Sequence, residues 1–148
     1  MDKKINALFF DIDGTLVSFN THKVPDSTVE AIKIAKSKGV GIYISTGRPL
    51  QIITNLGSIL PYIDGYITTN GALCIVNGKT VCCNPIPQDN VELLISDAKK
   101  FDYAVIVIGD KNVGLYNYKP IFDDVFVKEL NVTNIDTSLP VDKILERE

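Results

Sequence analysis

Two acids separated by one residue, Asp11 and Asp13, stand directly after the apolar run 5–10, and their type and spacing are those of groups that could do chemistry. One carboxylate can act as a nucleophile while the second, two positions on, gives up and takes back a proton. Gly14 lets the chain turn sharply enough for both side chains to reach one place. Asp-x-Asp-Gly-Thr is also the composition of a plain polar turn. Two like charges facing each other at a strand end are costly without a cation, however, and that weighs toward a site. Thr46, in Ser45-Thr46-Gly47-Arg48, and Asn70, in Thr69-Asn70-Gly71-Ala72, follow two further apolar runs. A hydroxyl at a helix start is a setting that binds anions, and it is equally the pattern of an N-cap. Asn70 and Gly71 read as the rim of a site or as a strand-end turn.

Such residues need elements to hold them. The unbroken apolar run 5–10 suits a strand buried on both faces of a parallel sheet, delivering Asp11 at its carboxyl end. Ser27 and Glu30 have capping-box spacing, and Val29, Ile32 and Ala35 share one face, so the spacing predicts a helix over 27–38 that ends at Gly39. A second strand follows at 40–44. Pro49 can open another helix, for which Ile52, Ile53, Leu56, Ile59 and Leu60 supply the buried face. A third strand at 65–68 completes a β-α-β-α-β order, whose right-handed crossovers place Asp11, Thr46 and Asn70 at one edge of a parallel sheet. Asn77-Gly78 predicts a two-residue hairpin turn between strands at 73–76 and 79–83. Pro85 and Pro87 mark a boundary between residues 83 and 88, dividing the chain into domains 1–84 and 85–148. Beyond it the pattern predicts a helix over 89–100, a hairpin of 103–108 with 113–118, and a helix around Ile121, Phe122, Val125 and Phe126. Residues 131–148 are weakly patterned, with room for a short strand or helix near 141–145. The fold class is α/β.

Asp11-Ile12-Asp13-Gly14-Thr15-Leu16 resembles the first motif, D-x-D-G-T-L, of the haloacid dehalogenase (HAD) superfamily, and Ser45-Thr46-Gly47-Arg48 resembles its second. Thr69-Asn70-Gly71-Ala72 resembles the N-G-A segment of the Cof-type branch, subfamily IIB, in which a large cap is inserted between core strands three and four. The resemblance implies a Rossmann-like core, here incomplete at three strands plus a hairpin, followed by part of an α+β cap of the C2 type. It implies a magnesium-dependent phosphatase that works through an aspartyl-phosphate on a small phosphorylated metabolite such as a sugar phosphate. Asp11 would be the nucleophile and Asp13 the acid/base. Mg²⁺ would be held by the Asp11 carboxylate and the Asp13 backbone carbonyl. Thr46 and Gly47 would bind the phosphoryl group, with Arg48, Asn70 and Gly71 on the phosphate or substrate side, and an exposed salt bridge is the other reading of Arg48. A phosphomutase uses the same intermediate and stays open.

The family's third-motif lysine and fourth-motif acids are not found. Lys143 is a poor candidate for the former, because a cap strand commonly carries a similar Lys-Ile-Leu run. Gly109-Asp110-Lys111-Asn112 mimics the latter but falls inside a hairpin, where a β-turn is the simpler reading. Asp123-Asp124 reads as a solvated face. The expectation is therefore a chain that stops inside its cap, with half a site and little turnover alone. The strand at 5–10 would then offer a bare edge to a missing C-terminal segment or to a second copy. The rival reading is a non-catalytic fragment or interaction module that keeps the first half of the fold.

Composition narrows the field further. The chain has 148 residues, 45% hydrophobic and 22% charged, which is ordinary for a globular protein. A net charge of -3 with scattered basic residues offers no footprint for nucleic acid or an anionic membrane. No apolar run has the length of a signal peptide or a membrane span, and the expectation is a soluble cytoplasmic protein. Cys74, Cys82 and Cys83 lack metal-ligand spacing and read as reduced structural thiols. His22 is the single histidine and gives no triad or metal site. The absence of Gly-x-Gly-x-x-Gly after the first strand argues against a dinucleotide-binding domain.

Overall fold

The computed structural model describes residues 4–135 and divides the chain into two compact units, Met1–Asn84 and Pro85–Glu148. In the first, strands β1 (Ala7–Phe10), β2 (Gly41–Ser45), β3 (Gly65–Thr68), β4 (Leu73–Val76) and β5 (Lys79–Cys83) form one five-stranded sheet in that order. β1, β2 and β3 pair in parallel, while β4 and β5 add antiparallel. Asn77 and Gly78 both take positive φ at the β4–β5 turn, the backbone that a two-residue hairpin needs. The protein is thus α/β, with its parallel strands ending together.

Alternation along β1 decides which side chains enter the core. Leu8 and Phe10 pack with the fully buried Ile12, Ile42 and Ile44, against Val29, Ile32 and Ala35 of helix α1 (Asp26–Ser37). Burying each such aliphatic side chain contributes about 1.5–3 kcal/mol. Phe9 points the other way, is 58% exposed, and stacks on Tyr43 at 5.0 Å between ring centroids. Asp11 shares that parity. β1 is therefore not buried on both faces as its apolar run implies, and Ile5 just before it is 64% exposed. β1 is an edge strand whose partner in the sheet is β2.

Two local expectations are corrected. The Ser27–Glu30 capping box does not form: the helix starts one residue earlier, Pro25 is its N-cap, and no side chain caps it. Ser27 is thereby displaced from the capping position, and Glu30 pairs with Lys33 at 2.6 Å instead. The helix after Pro49 is replaced by two 3₁₀ turns, Leu50–Ile52 and Leu60–Tyr62, with irregular chain between them. Gly57 and Pro61 interrupt the segment, and Ile53 takes an extended conformation. Ile52, Leu56 and Ile59 are nevertheless buried, so the apolar spacing reported burial without a helix.

Asp64 ties these pieces together. Its carboxylate accepts Lys36 Nζ at 2.7 and 2.8 Å and the Ile42 N–H at 2.8 Å, joining α1 to β2 just before β3 begins. Partial burial pushes its pKa up, but the hydrogen bonds from Lys36 and Ile42 more than offset this and hold it below the ordinary carboxylate value.

In the second unit, helix α2 (Gln88–Phe101) packs Val91 and Ile95 on Val105, Val107 and Tyr116 of an antiparallel pair, β6 (Val105–Ile108) and β7 (Val113–Tyr116). The Gly109 N–H donates to the Asn112 carbonyl at 2.9 Å, closing the short connection between β6 and β7. The segment around Phe122 is wound largely as a π-helix, Asp123–Glu129, rather than an α-helix. The wider turn leaves Phe122 and Phe126 stacked at 4.9 Å. Asp124 pairs with Lys128 and Asp123 with the Tyr118 hydroxyl, so the two acids serve local contacts. The element expected near 141–145, and Lys143 with it, lie outside the described residues. Among the described residues no helix is long and apolar enough to cross a membrane.

Candidate active site

At the carboxyl ends of the parallel strands, Asp11, Ser45, Thr46, Gly47, Ile67, Asn70 and Gly71 line one cavity of about 340 Å³. The register explains the convergence. Phe10 pairs with Ile44, and Ser45 with Ile67, so Asp11, Ser45 and Ile67 stand in one row on one face of the sheet. Asp11 is exposed at the end of that row, whereas Ile12 turns into the core and is fully buried. The buried residue between the two acids anchors the turn from below. Leu16 and Val17 are buried with it, and N–H groups of Gly14, Thr15, Leu16 and Val17 close the turn onto the carbonyls of Val17, Ile12 and Asp11. None of these bonds uses the Asp13 carbonyl. Gly14 takes φ +77 within the turn, a conformation that a side chain would strain.

Thr46 is 6% exposed, and its hydroxyl oxygen accepts the Arg48 N–H at 3.2 Å. That leaves the hydroxyl proton for an acceptor in the cavity. The Gly47 N–H has no partner among the described residues and sits at the cavity wall. A Cβ on residue 47 would stand 2.9 Å from the Asn70 Oδ1, so the glycine is what lets the Asn70 side chain lie against this loop. The helix-terminus argument for Thr46 fails here, because no α-helix follows it. The local anion donors are a hydroxyl and a free amide, not a helix dipole.

The loop after β3 closes the other wall. Thr69, Asn70 and Gly71 all have positive φ (52, 54 and 94), an arrangement that costs energy for a β-branched threonine. The Thr69 N–H donates to the Arg48 carbonyl at 3.1 Å, tying this loop to the one after β2.

Arg48 departs most from its sequence reading, which placed it toward phosphate or in an exposed ion pair. It is 5% exposed and grips Asp13 with both arms of its guanidinium: Nε to Oδ2 at 2.7 Å and Nη2 to Oδ1 at 2.6 Å. Nη1 donates to the Ile52 carbonyl at 3.3 Å. Neither Asp13 nor Arg48 is among the cavity-lining residues. Sequence reasoning also missed Ser45 and Ile67, which only the strand register identifies, and the Asp13–Arg48 pair, for which no sequence spacing gives a signal.

The donor set fits a hard cation in part. Asp11 offers an exposed carboxylate and Asp13 a carbonyl unused by the turn, the oxygen ligands that magnesium takes alongside waters. Among the described residues, no three His, Cys, Asp or Glu side chains gather as a metal cluster. Cys74 and Cys82 are half-buried free thiols facing each other across β4 and β5, and Cys83 is exposed.

Comparison with known proteins agrees with this architecture. The sequence pattern of the haloacid dehalogenase-like hydrolases matches residues 8–145. A solved member of a phosphoryl-transfer superfamily superposes with a TM-score of 0.89 at 38% identity, over 98% of this chain and 56% of that one. A HAD subclass IIB sugar phosphatase superposes with a TM-score of 0.85 at 39% identity, over 97% and 55%. A Mycoplasma genitalium protein that carries a provisional phosphatase name is 28% identical over 119 residues, which are 78% of this chain and 42% of that protein. The chain spans about half the length of these relatives. By the match along nearly its whole length, the chain belongs to the haloacid dehalogenase-like hydrolase family.

Proposed function

We propose that this chain carries the nucleophile half of a magnesium-dependent phosphatase site of the Cof-type, IIB branch, acting on a small phosphorylated metabolite such as a sugar phosphate. The observation that carries the reading is the convergence of Asp11, Thr46, Gly47 and Asn70 on one polar cavity at the strand ends. A phosphate seated there meets the Thr46 hydroxyl and the Gly47 amide while facing the Asp11 carboxylate. In-line attack by an Asp11 oxygen on phosphorus forms an acyl phosphate and breaks the bond to the leaving oxygen, which takes a proton from Asp13. Asp13 then accepts a proton from the water that attacks the same phosphorus, releasing phosphate and restoring Asp11. Mg²⁺, held by the Asp11 carboxylate and the Asp13 carbonyl, would neutralise charge between phosphate and carboxylate.

Division at residues 84/85 fits a core followed by part of a cap that selects substrate. The β1 edge is where a further strand would pair, whether from the rest of a longer polypeptide or from a second copy. Magnesium-dependent hydrolysis of a generic aryl phosphate tests the reading. Release by the wild type that Asp11→Asn abolishes supports it, and equal release by both overturns it. No release by either supports the second reading, a non-catalytic interaction module; what favours that reading is the lack of a third metal-ligating side chain among the described residues.

A further inference from the structure

The buried guanidinium of Arg48 sits at the crossing of three loops. Its side chain forks onto Asp13, its backbone N–H donates to Thr46 Oγ1 at 3.2 Å, and its carbonyl accepts the Thr69 N–H at 3.1 Å. An arginine meant for a phosphate would extend into the cavity. This one is 5% exposed, and Nη1 is fixed on the Ile52 carbonyl.

We propose that Arg48 is a positioning residue for Asp13, setting the plane and direction of its carboxylate through the two-armed hydrogen bond. The proposal rests on the reading of Asp13 as the acid/base. A carboxylate has about four lone-pair sites, and a bidentate guanidinium occupies two of them. Both Asp13 oxygens therefore keep a lone-pair site on the side away from the fork while the carboxylate is held. A lysine would keep the charge but not the fork, and so could not fix the carboxylate plane. Because Arg48 also grips the Thr46 and Thr69 loops through its backbone, which a side-chain substitution leaves in place, the effect of such a change falls on Asp13 rather than on the phosphate donors.

The test compares wild type, Arg48→Lys and Arg48→Gln by crystal structure, by calorimetric binding of inorganic phosphate with magnesium, and by steady-state hydrolysis of an aryl phosphate. The expected result is an Asp13 carboxylate that leaves its wild-type orientation, phosphate affinity within about twofold, and kcat lower by about 100-fold at nearly constant KM. Arg48→Gln supplies the same comparison if Arg48→Lys does not fold. An Asp13 side chain that keeps its orientation in the variants, or phosphate affinity that falls tenfold or more, overturns the proposal. A wild type that releases no phosphate defeats the phosphatase reading of this chain, while the structural and phosphate-binding arms still decide the role of Arg48.

Discussion

At the scale of single residues, the site depends on small contacts as much as on its acids. Gly47→Ala would place a methyl group 2.9 Å from the Asn70 amide oxygen, the movable end of a side chain. The fold should tolerate it, while Asn70 is pushed from the cavity. We expect phosphate affinity by calorimetry to fall by up to about tenfold, the order of one hydrogen bond. An affinity equal to wild type would remove Asn70 from the binding role. Asp64 is the clearest electrostatic case. Its folded-state pKa lies below its unfolded value of about 3.9, so its contribution is complete above that value and is lost as pH falls through the lower folded value. Asp64→Asn should cost roughly 1.5–3 kcal/mol at neutral pH, the range for hydrogen bonds to a charged group, and should flatten the acid limb of the stability curve. Urea unfolding at pH 7 and in acid checks both, and unchanged acid sensitivity would contradict the assignment. That Asp11, Thr46 and Asn70 meet at the strand ends could be read from sequence, because each follows an apolar run. The partner of Asp13 could not, since Arg48 lies 35 positions away and its direction is set by tertiary packing alone.

At the scale of elements, the strands were legible and the connection after β2 was not. Ile52, Leu56 and Ile59 have the spacing of a helical face, and each is buried, but Gly57 and Pro61 break the backbone that would have used it. Periodicity measures which residues are inside, whereas hydrogen-bonded winding needs an uninterrupted chain. The Ser27–Glu30 pattern failed for a related reason: a one-residue shift in the helix start moves every capping side chain off its position. The β4–β5 turn was legible because Asn77-Gly78 meets a backbone demand that few residue pairs satisfy. Gly78→Val should therefore destabilise the protein by about 1–2 kcal/mol in chemical unfolding, the cost of forcing a branched residue into the left-handed region. A change within a few tenths of a kcal/mol would argue that the turn is not under that constraint.

At the scale of the whole molecule, β1 lies at one edge of the five-stranded sheet. An edge strand carrying an exposed Phe9 stacked on the half-buried Tyr43 is a template for another strand. The expected outcome is association that grows with concentration by light scattering and weakens in Phe9→Lys; a strict monomer at all concentrations would contradict it. The sequence pointed to this edge, but the exposure of one β1 face escaped it, because an unbroken apolar run does not say how many faces are covered. The proposed transfer of a phosphoryl group to Asp11 is tested most directly by mass spectrometry of protein acid-quenched during incubation with magnesium and acetyl phosphate. One added phosphoryl group is expected on the peptide containing Asp11, absent in Asp11→Asn. An adduct on another peptide, or one that persists in Asp11→Asn, would contradict it.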